Sequence, residues 1–146
     1  MEDIYNLQRF IKEQQRDYTT AYVELSQGKK RSHWMWYIFP QIVGLGMTAT
    51  SHKYSIKSID EAKAYIDHPY LGKNLINISK VLLSLDENDP YKIFGSPDYL
   101  KLCSSMTLFA EAAPEEDVFQ KVIDKYYGGR KDERTLAILE QFILRC

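Results

Sequence analysis

Apolar residues recur at spacings of three and four along most of this 146-residue chain. The clearest stripe runs through the middle of the chain and consists of Leu71, Leu75, Ile78, Val81, Leu82 and Leu85. This period matches one face of an α-helix, whereas a half-buried strand would alternate apolar and polar residues. Similar stripes outline about seven helices, and no segment shows good strand alternation. The sequence therefore predicts an all-α fold.

Local start and stop signals divide the chain into these helices. Ser58 and Glu61 fit a capping box, and Pro69 suits the first turn of the next helix. The segment 95–98, Gly-Ser-Pro-Asp, predicts a further helix start with its serine as the cap. Asp132 is expected to cap the last helix.

Residues 32–57 are the least regular part of the chain. A short helical turn at 34–38 should end before Pro40, because a proline disfavours the helical conformation of the residue before it. Residues 47–57 could be extended. A long irregular segment inside a compact domain often carries function. We therefore expect a compact, multihelical single domain over residues 1–146, with one irregular segment at about 32–57.

Composition and charge exclude several classes of protein. The formal net charge of -1 favours neither nucleic acid nor an anionic membrane as a partner. The apolar run at 34–45 is too short to span a bilayer, and the acidic N-terminus lacks a signal-peptide pattern. A cytoplasmic protein is therefore expected. Cys103 and Cys146 are expected to be free thiols, and the cysteines and histidines lack metal-ligand spacing, so neither a metal nor another cofactor is expected.

The segment 29–41 combines cations and aromatic residues more densely than a core segment requires. Cations and imidazole bind anionic oxygens, and an indole face can stack on a flat ring, so the segment predicts a phosphate or nucleotide site. Its alternative is a cationic helix end followed by a hydrophobic anchor, with both tryptophans in the core. The candidate ligand contacts are Arg31, Ser32, Trp34, Trp36 and Gln41, and His33 is a candidate catalytic residue.

A second candidate segment lies some sixty residues further along, at 95–105. Asp98 suits general acid/base chemistry or a contact to a sugar hydroxyl, so it is the other candidate catalytic residue. Lys101, Ser104 and Ser105 are candidate ligand contacts. The alternative is a capped helix start with an Asp98–Lys101 surface pair and solvent-facing serines. We expect the two segments to meet around one shared pocket.

Specific sequence blocks cover most of the chain: residues 31–41 (RSHWMWYIFPQ), 44–46, 61–62, 68–72, 95–98, 101–102 and 104–109, with Asp132, Thr135 and Leu136. In these blocks the chain resembles a bacterial family of unknown function, whose members are sometimes mislabelled calpastatin. The resemblance implies a compact helical domain used in the bacterial cytoplasm, and it implies no activity.

A further similarity, in helix order and in Met106 with the helix at 119–127, is to the riboflavin-intermediate N-glycosidase superfamily, which is linked to ADP-ribose chemistry. Together these features favour a pocket for a nucleotide- or ribose-phosphate-like small molecule, with N-glycosidic hydrolysis as the candidate reaction. The alternative is a non-enzymatic protein-interaction module, because the chain has 11 tyrosines, and tyrosine and tryptophan favour interface hot spots. Both an enzyme and a non-catalytic binder fit these residues.

Overall fold

The structure, a computed structural model, describes residues 3–46 and 48–144, with side chains as far as Gln141. Within those residues it contains nine α-helices and no β-strand, so the all-α, multihelical prediction is confirmed. The helices are α1 (Gln8–Ser26), α2 (Met35–Ile38), α3 (Ala49–Tyr54), α4 (Ile59–Asp67), α5 (Pro69–Ser84), α6 (Pro90–Phe94), α7 (Asp98–Ala112), α8 (Val118–Tyr127) and α9 (Glu133–Leu144).

The predicted signals begin three of these helices. The Ser58 hydroxyl accepts a hydrogen bond from the Glu61 amide at 3.1 Å and begins α4. Pro69 occupies the first turn of α5, where its missing N–H costs nothing. Asp132 accepts a hydrogen bond from the Thr135 amide at 2.9 Å at the start of α9. The two caps, Ser58 and Asp132, satisfy amides that a helix leaves without internal partners.

Two local predictions were wrong. Residues 47–57 are not extended throughout, because Thr48 accepts a hydrogen bond from the Ser51 amide at 3.0 Å and begins α3. Only Ile56 forms a bridge, to Ile42. The helix expected to begin at Pro97, with Ser96 as its cap, begins at Asp98 instead. Its first amides bond to the backbone carbonyls of residues 95 and 97, so the serine hydroxyl is unused as a cap.

Helix α7 is central to the packing. Every residue from 102 to 110 is buried, and α7 packs against α4, α6, α8 and α9. Helix α5 packs against α1, α4 and α8. Four aromatic rings run through this core, Phe10 to Tyr65 at 5.2 Å, Tyr65 to Phe109 at 5.2 Å and Phe109 to Phe119 at 5.9 Å between centroids. The rings connect α1, α4, α7 and α8.

No helix within the described residues combines the length and the hydrophobicity that crossing a bilayer requires. Cys103 is buried and forms no disulfide within the described residues, and Cys146, the other cysteine of the chain, lies outside them. Burial raises the pKa of the Cys103 thiol to about 11, which makes it a poor nucleophile.

Candidate functional site

Glu24, near the end of α1, organises the cationic segment that follows it. Its Oε1 accepts hydrogen bonds from the amides of Arg31 at 2.7 Å and Ser32 at 3.0 Å. The Trp34 indole N–H donates to the same oxygen at 2.9 Å, and the Ser32 hydroxyl donates to Oε2 at 2.5 Å. Burial by itself raises the pKa of Glu24, but these hydrogen bonds outweigh it and hold the pKa below its usual value.

Ser32 and Trp34 were both predicted to contact a ligand. Because they bond to Glu24, neither is available to one. The Ser32 hydroxyl is bonded to Glu24. Trp34 is 1% exposed, and its ring packs near Phe39 and Phe94 at centroid distances of 6.2 and 6.5 Å. The hydrophobic-anchor alternative therefore describes Trp34, because a face sealed in the core cannot stack on a ligand.

The two candidate segments meet through an ion pair. Lys30 Nζ lies 2.9 Å from Asp98 Oδ2, and the lysine side chain is 8% exposed. Lys30 Nζ also lies 5.0 Å from the centroid of the Trp34 ring and donates to the Ser32 carbonyl. The other carboxylate oxygen of Asp98 lies 3.7 Å from Lys101 Nζ, which is the pair expected as an alternative. Asp98 is thus held between two ammonium groups, and a general-acid/base role would require it to leave them.

An open groove of about 460 Å³, which we call the central groove, lies where the end of α2, the start of α7 and the start of α9 converge. Four of the predicted ligand contacts line it. Its apolar surface includes Pro97 and Leu100, and its polar lining includes Trp36, Gln41, Lys101, Ser104, Asp132 and Arg134.

The remaining predicted site residues lie elsewhere. The side chains of Arg31 and His33 are exposed to solvent but do not line the central groove. Ser105 is completely buried, and its hydroxyl has no hydrogen-bond partner among the described residues. It differs from Ser104 because the next position on a helix turns through about 100°, which here takes the side chain into the core.

Asp132 and Arg134 line the groove but were not predicted as site residues. The sequence identified Asp132 only as a helix cap. Its Oδ2 does accept hydrogen bonds from both the amide and the hydroxyl of Thr135. Its own amide donates to the Thr107 hydroxyl at 2.9 Å, which attaches the start of α9 to α7. Nothing in the sequence identified Arg134 as a site residue, because only this attachment brings the first turn of α9 to the groove.

Lys101 and Trp36 form a cation–π pair within the groove lining. Lys101 Nζ lies 5.0 Å from the centroid of the Trp36 ring. Such contacts are attractive because the face of an indole carries negative partial charge. Trp36 is partly buried and packs against the core, which fixes the position of the ring beneath the ammonium group.

A second polar cluster, around Arg9 and Glu61, is saturated by its own contacts. Arg9 forms an ion pair with Glu61 at 2.6 Å, with side-chain exposures of 9% and 2%. The arginine also donates to the carbonyls of Tyr5, Asn6, Lys53 and Ser55. Its guanidinium has no donor left for a ligand, so the cluster ties α1 to α4 and the preceding loop. No group of three potential metal ligands is assembled within the described residues.

The comparisons with known proteins agree with this architecture. A family model described as a protein of unknown function (DUF1810) matches residues 4–139. The crystal structure of the conserved hypothetical protein Rv1873 from Mycobacterium tuberculosis, at 1.38 Å, is similar with a TM-score of 0.93 and 43% sequence identity. The match covers 94% of this chain and 99% of that chain. Among curated proteins, none matches. The predicted resemblance to a bacterial family of unknown function is thereby confirmed, and the chain belongs to the DUF1810 family of proteins of unknown function.

Proposed function

We propose that the central groove binds a small anionic molecule of the nucleotide or ribose-phosphate class, in a cytoplasmic domain. The observation that carries this proposal is the convergence of two segments distant in sequence on one groove. Trp36 and Gln41 come from the first segment, and Lys101 and Ser104 from the second. Arg134, from α9, adds a second cation to the same lining.

The size of the groove supports a ligand of this class. Its volume of about 460 Å³ lies within the usual range for small-molecule sites. The charge also supports it, because the lining holds two cations, Lys101 and Arg134, and one carboxylate, Asp132. The nearby Asp98 forms its closer ion pair with the buried Lys30. A local excess of positive charge therefore persists in a chain whose formal net charge is -1.

Binding can be tested by thermal unfolding in the presence of adenosine monophosphate, ADP-ribose and ribose 5-phosphate. A ligand at 100 times its dissociation constant should add roughly 2.7 kcal/mol to the free energy of unfolding. Lys101→Met and Arg134→Met should each reduce this stabilisation. Arg31→Met removes the same charge outside the groove and is the matched control. Unchanged melting curves across the panel would rule the proposal out.

N-glycosidic hydrolysis is the reaction we propose for this groove. Glycoside cleavage commonly uses a carboxylate beside the reacting carbon. Asp132 lies in the groove lining, and its Oδ1 is not used in capping α9, whereas Asp98 is held by Lys30. Incubation with ribosyl-aminopyrimidine substrates and chromatography of the released base tests the reaction. Asp132→Asn, which keeps an oxygen for the cap, should abolish release without preventing binding. No release by the unaltered protein would exclude the reaction and leave the binding proposal intact.

A protein-interaction module is the second candidate function. Two apolar side chains favour it, because Tyr91 is 57% and Leu100 is 53% exposed. Leu100 lines the central groove, and Tyr91 packs on Tyr99 at a centroid distance of 5.6 Å. If this surface binds protein, Tyr91→Asp, at a position outside the groove lining, should abolish complex formation in sedimentation experiments with a recovered partner, while the response to small phosphates stays as in the unaltered protein.

A further inference from the structure

The Lys101–Trp36 pair indicates which part of a ligand the central groove recognises. We infer that Trp36 is a positioning residue that holds the Lys101 ammonium group for an anion, and that the groove recognises the phosphate of its ligand rather than the base. The inference rests on the proposed function and narrows its ligand class to phosphate monoesters of small sugars, with or without a base.

The position of Lys101 argues against stacking on Trp36. A stacked ring would lie about 3.5–4.0 Å from the indole plane. The Lys101 ammonium group lies over the ring, 5.0 Å from its centroid, and so occupies the space that a stacked base would need. A base could stack on that face only by displacing the cation from an attractive contact.

The ammonium group of Lys101 remains available to an anion. Its distance of 3.7 Å to Asp98 Oδ1 is too long for a hydrogen bond, although the two charges still attract. The same carboxylate approaches Lys30 more closely, at 2.9 Å. Lys101 therefore carries charge that Asp98 neutralises only in part, and the indole fixes the place of that charge in the lining.

The other polar groups of the groove suit a phosphate monoester. Arg134, on the first turn of α9, forms no ion pair with any described residue, and its planar guanidinium can donate two parallel hydrogen bonds to a phosphate. Within the described residues, Ser104 has only one side-chain hydrogen bond, a long one of 3.3 Å to the Leu100 carbonyl. The Ser104 hydroxyl can therefore still form a hydrogen bond to a ligand. Two cations and a hydroxyl match a dianion with several oxygens better than they match a neutral ring.

Affinity measurements on two ligands separate positioning from stacking. Ribose 5-phosphate and adenosine monophosphate carry the same phosphate, and only the second has a base. Trp36→Leu should weaken both by the same factor, roughly 2- to 30-fold, the range that a lost cation–π contact corresponds to. Lys101→Met should weaken both, and the double variant should be no weaker than Lys101→Met alone. Trp36→Phe keeps a weaker aromatic face, so its affinity for both ligands should lie between those of the unaltered protein and Trp36→Leu.

Two control ligands, adenosine and inorganic phosphate, show which part of the ligand the groove binds. Adenosine, which lacks the phosphate, should not bind, and inorganic phosphate should bind more weakly than ribose 5-phosphate. If Trp36→Leu weakens the nucleotide but leaves ribose 5-phosphate unchanged, the indole stacks on the base and the inference is overturned. If neither phosphate ester binds the unaltered protein, both the inference and the proposed function are overturned.

A ligand-independent measurement tests the positioning itself. After reductive methylation with 13C-formaldehyde, the dimethyl-lysine signal of Lys101 should be shifted upfield by the ring current of Trp36. The signal is identified by its loss in Lys101→Met, and it should move to the position of an exposed lysine in Trp36→Leu and stay partly shifted in Trp36→Phe. Without an upfield shift in the unaltered protein the inference fails, even when both phosphate esters bind.

Discussion

At the scale of the residue, Glu24 is the side chain on which the cationic segment depends. One buried carboxylate accepts four hydrogen bonds, from two backbone amides, a hydroxyl and an indole. Each bond fixes a group that would otherwise be buried without a partner or exposed to water. The segment 29–34 is consequently held in one conformation, with Lys29, Arg31 and His33 outside and Trp34 inside.

Removing this acceptor should destabilise the protein strongly. Glu24→Ala leaves the Trp34 N–H and the Ser32 hydroxyl without a partner, and each orphaned buried group costs about 1–3 kcal/mol. Unfolding in denaturant measures the decrease in the free energy of unfolding. Gln15→Ala, at an exposed position of the same helix, is the control and should change the free energy of unfolding by less than about 0.5 kcal/mol. A Glu24→Ala variant as stable as the control would contradict the role given to Glu24.

The same residue predicts a pH dependence. The pKa of Glu24 is lower in the folded protein than its ordinary value of 4.5, so its ionised form favours folding. That contribution is complete above the unfolded pKa and is lost as the pH falls through the lower folded pKa. The stability difference between the unaltered protein and Glu24→Gln should therefore be constant near neutrality and shrink below about pH 4.5. A difference that does not change with pH would contradict the depressed pKa.

At the scale of the element, the junction of α4 and α5 depends on the absence of a side chain. A Cβ on Gly72 would lie 1.9 Å from the Ile66 carbonyl oxygen, a distance that backbone atoms cannot accept. The preceding residues, His68 and Pro69, turn the chain so that the second helix begins at once, with the His68 Nδ1 accepting from the Tyr70 amide. The two helices therefore approach closely only because residue 72 is glycine.

Gly72→Ala should separate α4 from α5. Overpacking of a buried site usually costs about 1–3 kcal/mol, and the backbone contact here puts this substitution at the upper end or beyond. The neighbouring Lys73→Ala, at an exposed position of α5, is the matched control and should stay within about 0.5 kcal/mol. Thermal unfolding compares the two, and equal melting temperatures would show that the junction tolerates a methyl group.

At the scale of the whole molecule, one hydrophobic core unites the helices. The rings of Phe10, Tyr65, Phe109 and Phe119 pass from α1 through α4 and α7 to α8. Aromatic pairs of this kind contribute about 0.5–1.5 kcal/mol each beyond the area that they bury. Two of these contacts join helices that are distant in sequence, α1 with α4 and α4 with α7, so we expect the protein to unfold in a single cooperative transition.

Phe109→Ala tests this continuity. Removing a buried phenylalanine typically costs about 3–5 kcal/mol. Circular dichroism should report the loss of helix, and tryptophan fluorescence should report the region around Trp34; the two transitions should coincide in the variant as in the unaltered protein. Tyr91→Ala, at a position that is 57% exposed, is the control. Transitions at different denaturant concentrations would show that the core is divided.

Much of the helix pattern was predictable, because its causes are local. Ser58, Pro69 and Asp132 act within one helical turn, and a stripe of leucines requires only the helical period. The start of α7 was misplaced by one residue, because its first amides bond to backbone carbonyls and not to a serine cap.

The candidate site was predictable only in part. The sequence by itself determined that segments 29–41 and 95–105 carry the cations, hydroxyls and indoles of a polar site, since these are properties of composition and spacing. Only the tertiary structure decided which of them face one groove. Glu24 draws Ser32 and Trp34 inward, and the bond from Asp132 to Thr107 carries Arg134 to the lining. Those partners lie between 8 and 25 residues apart, beyond the reach of any helical period.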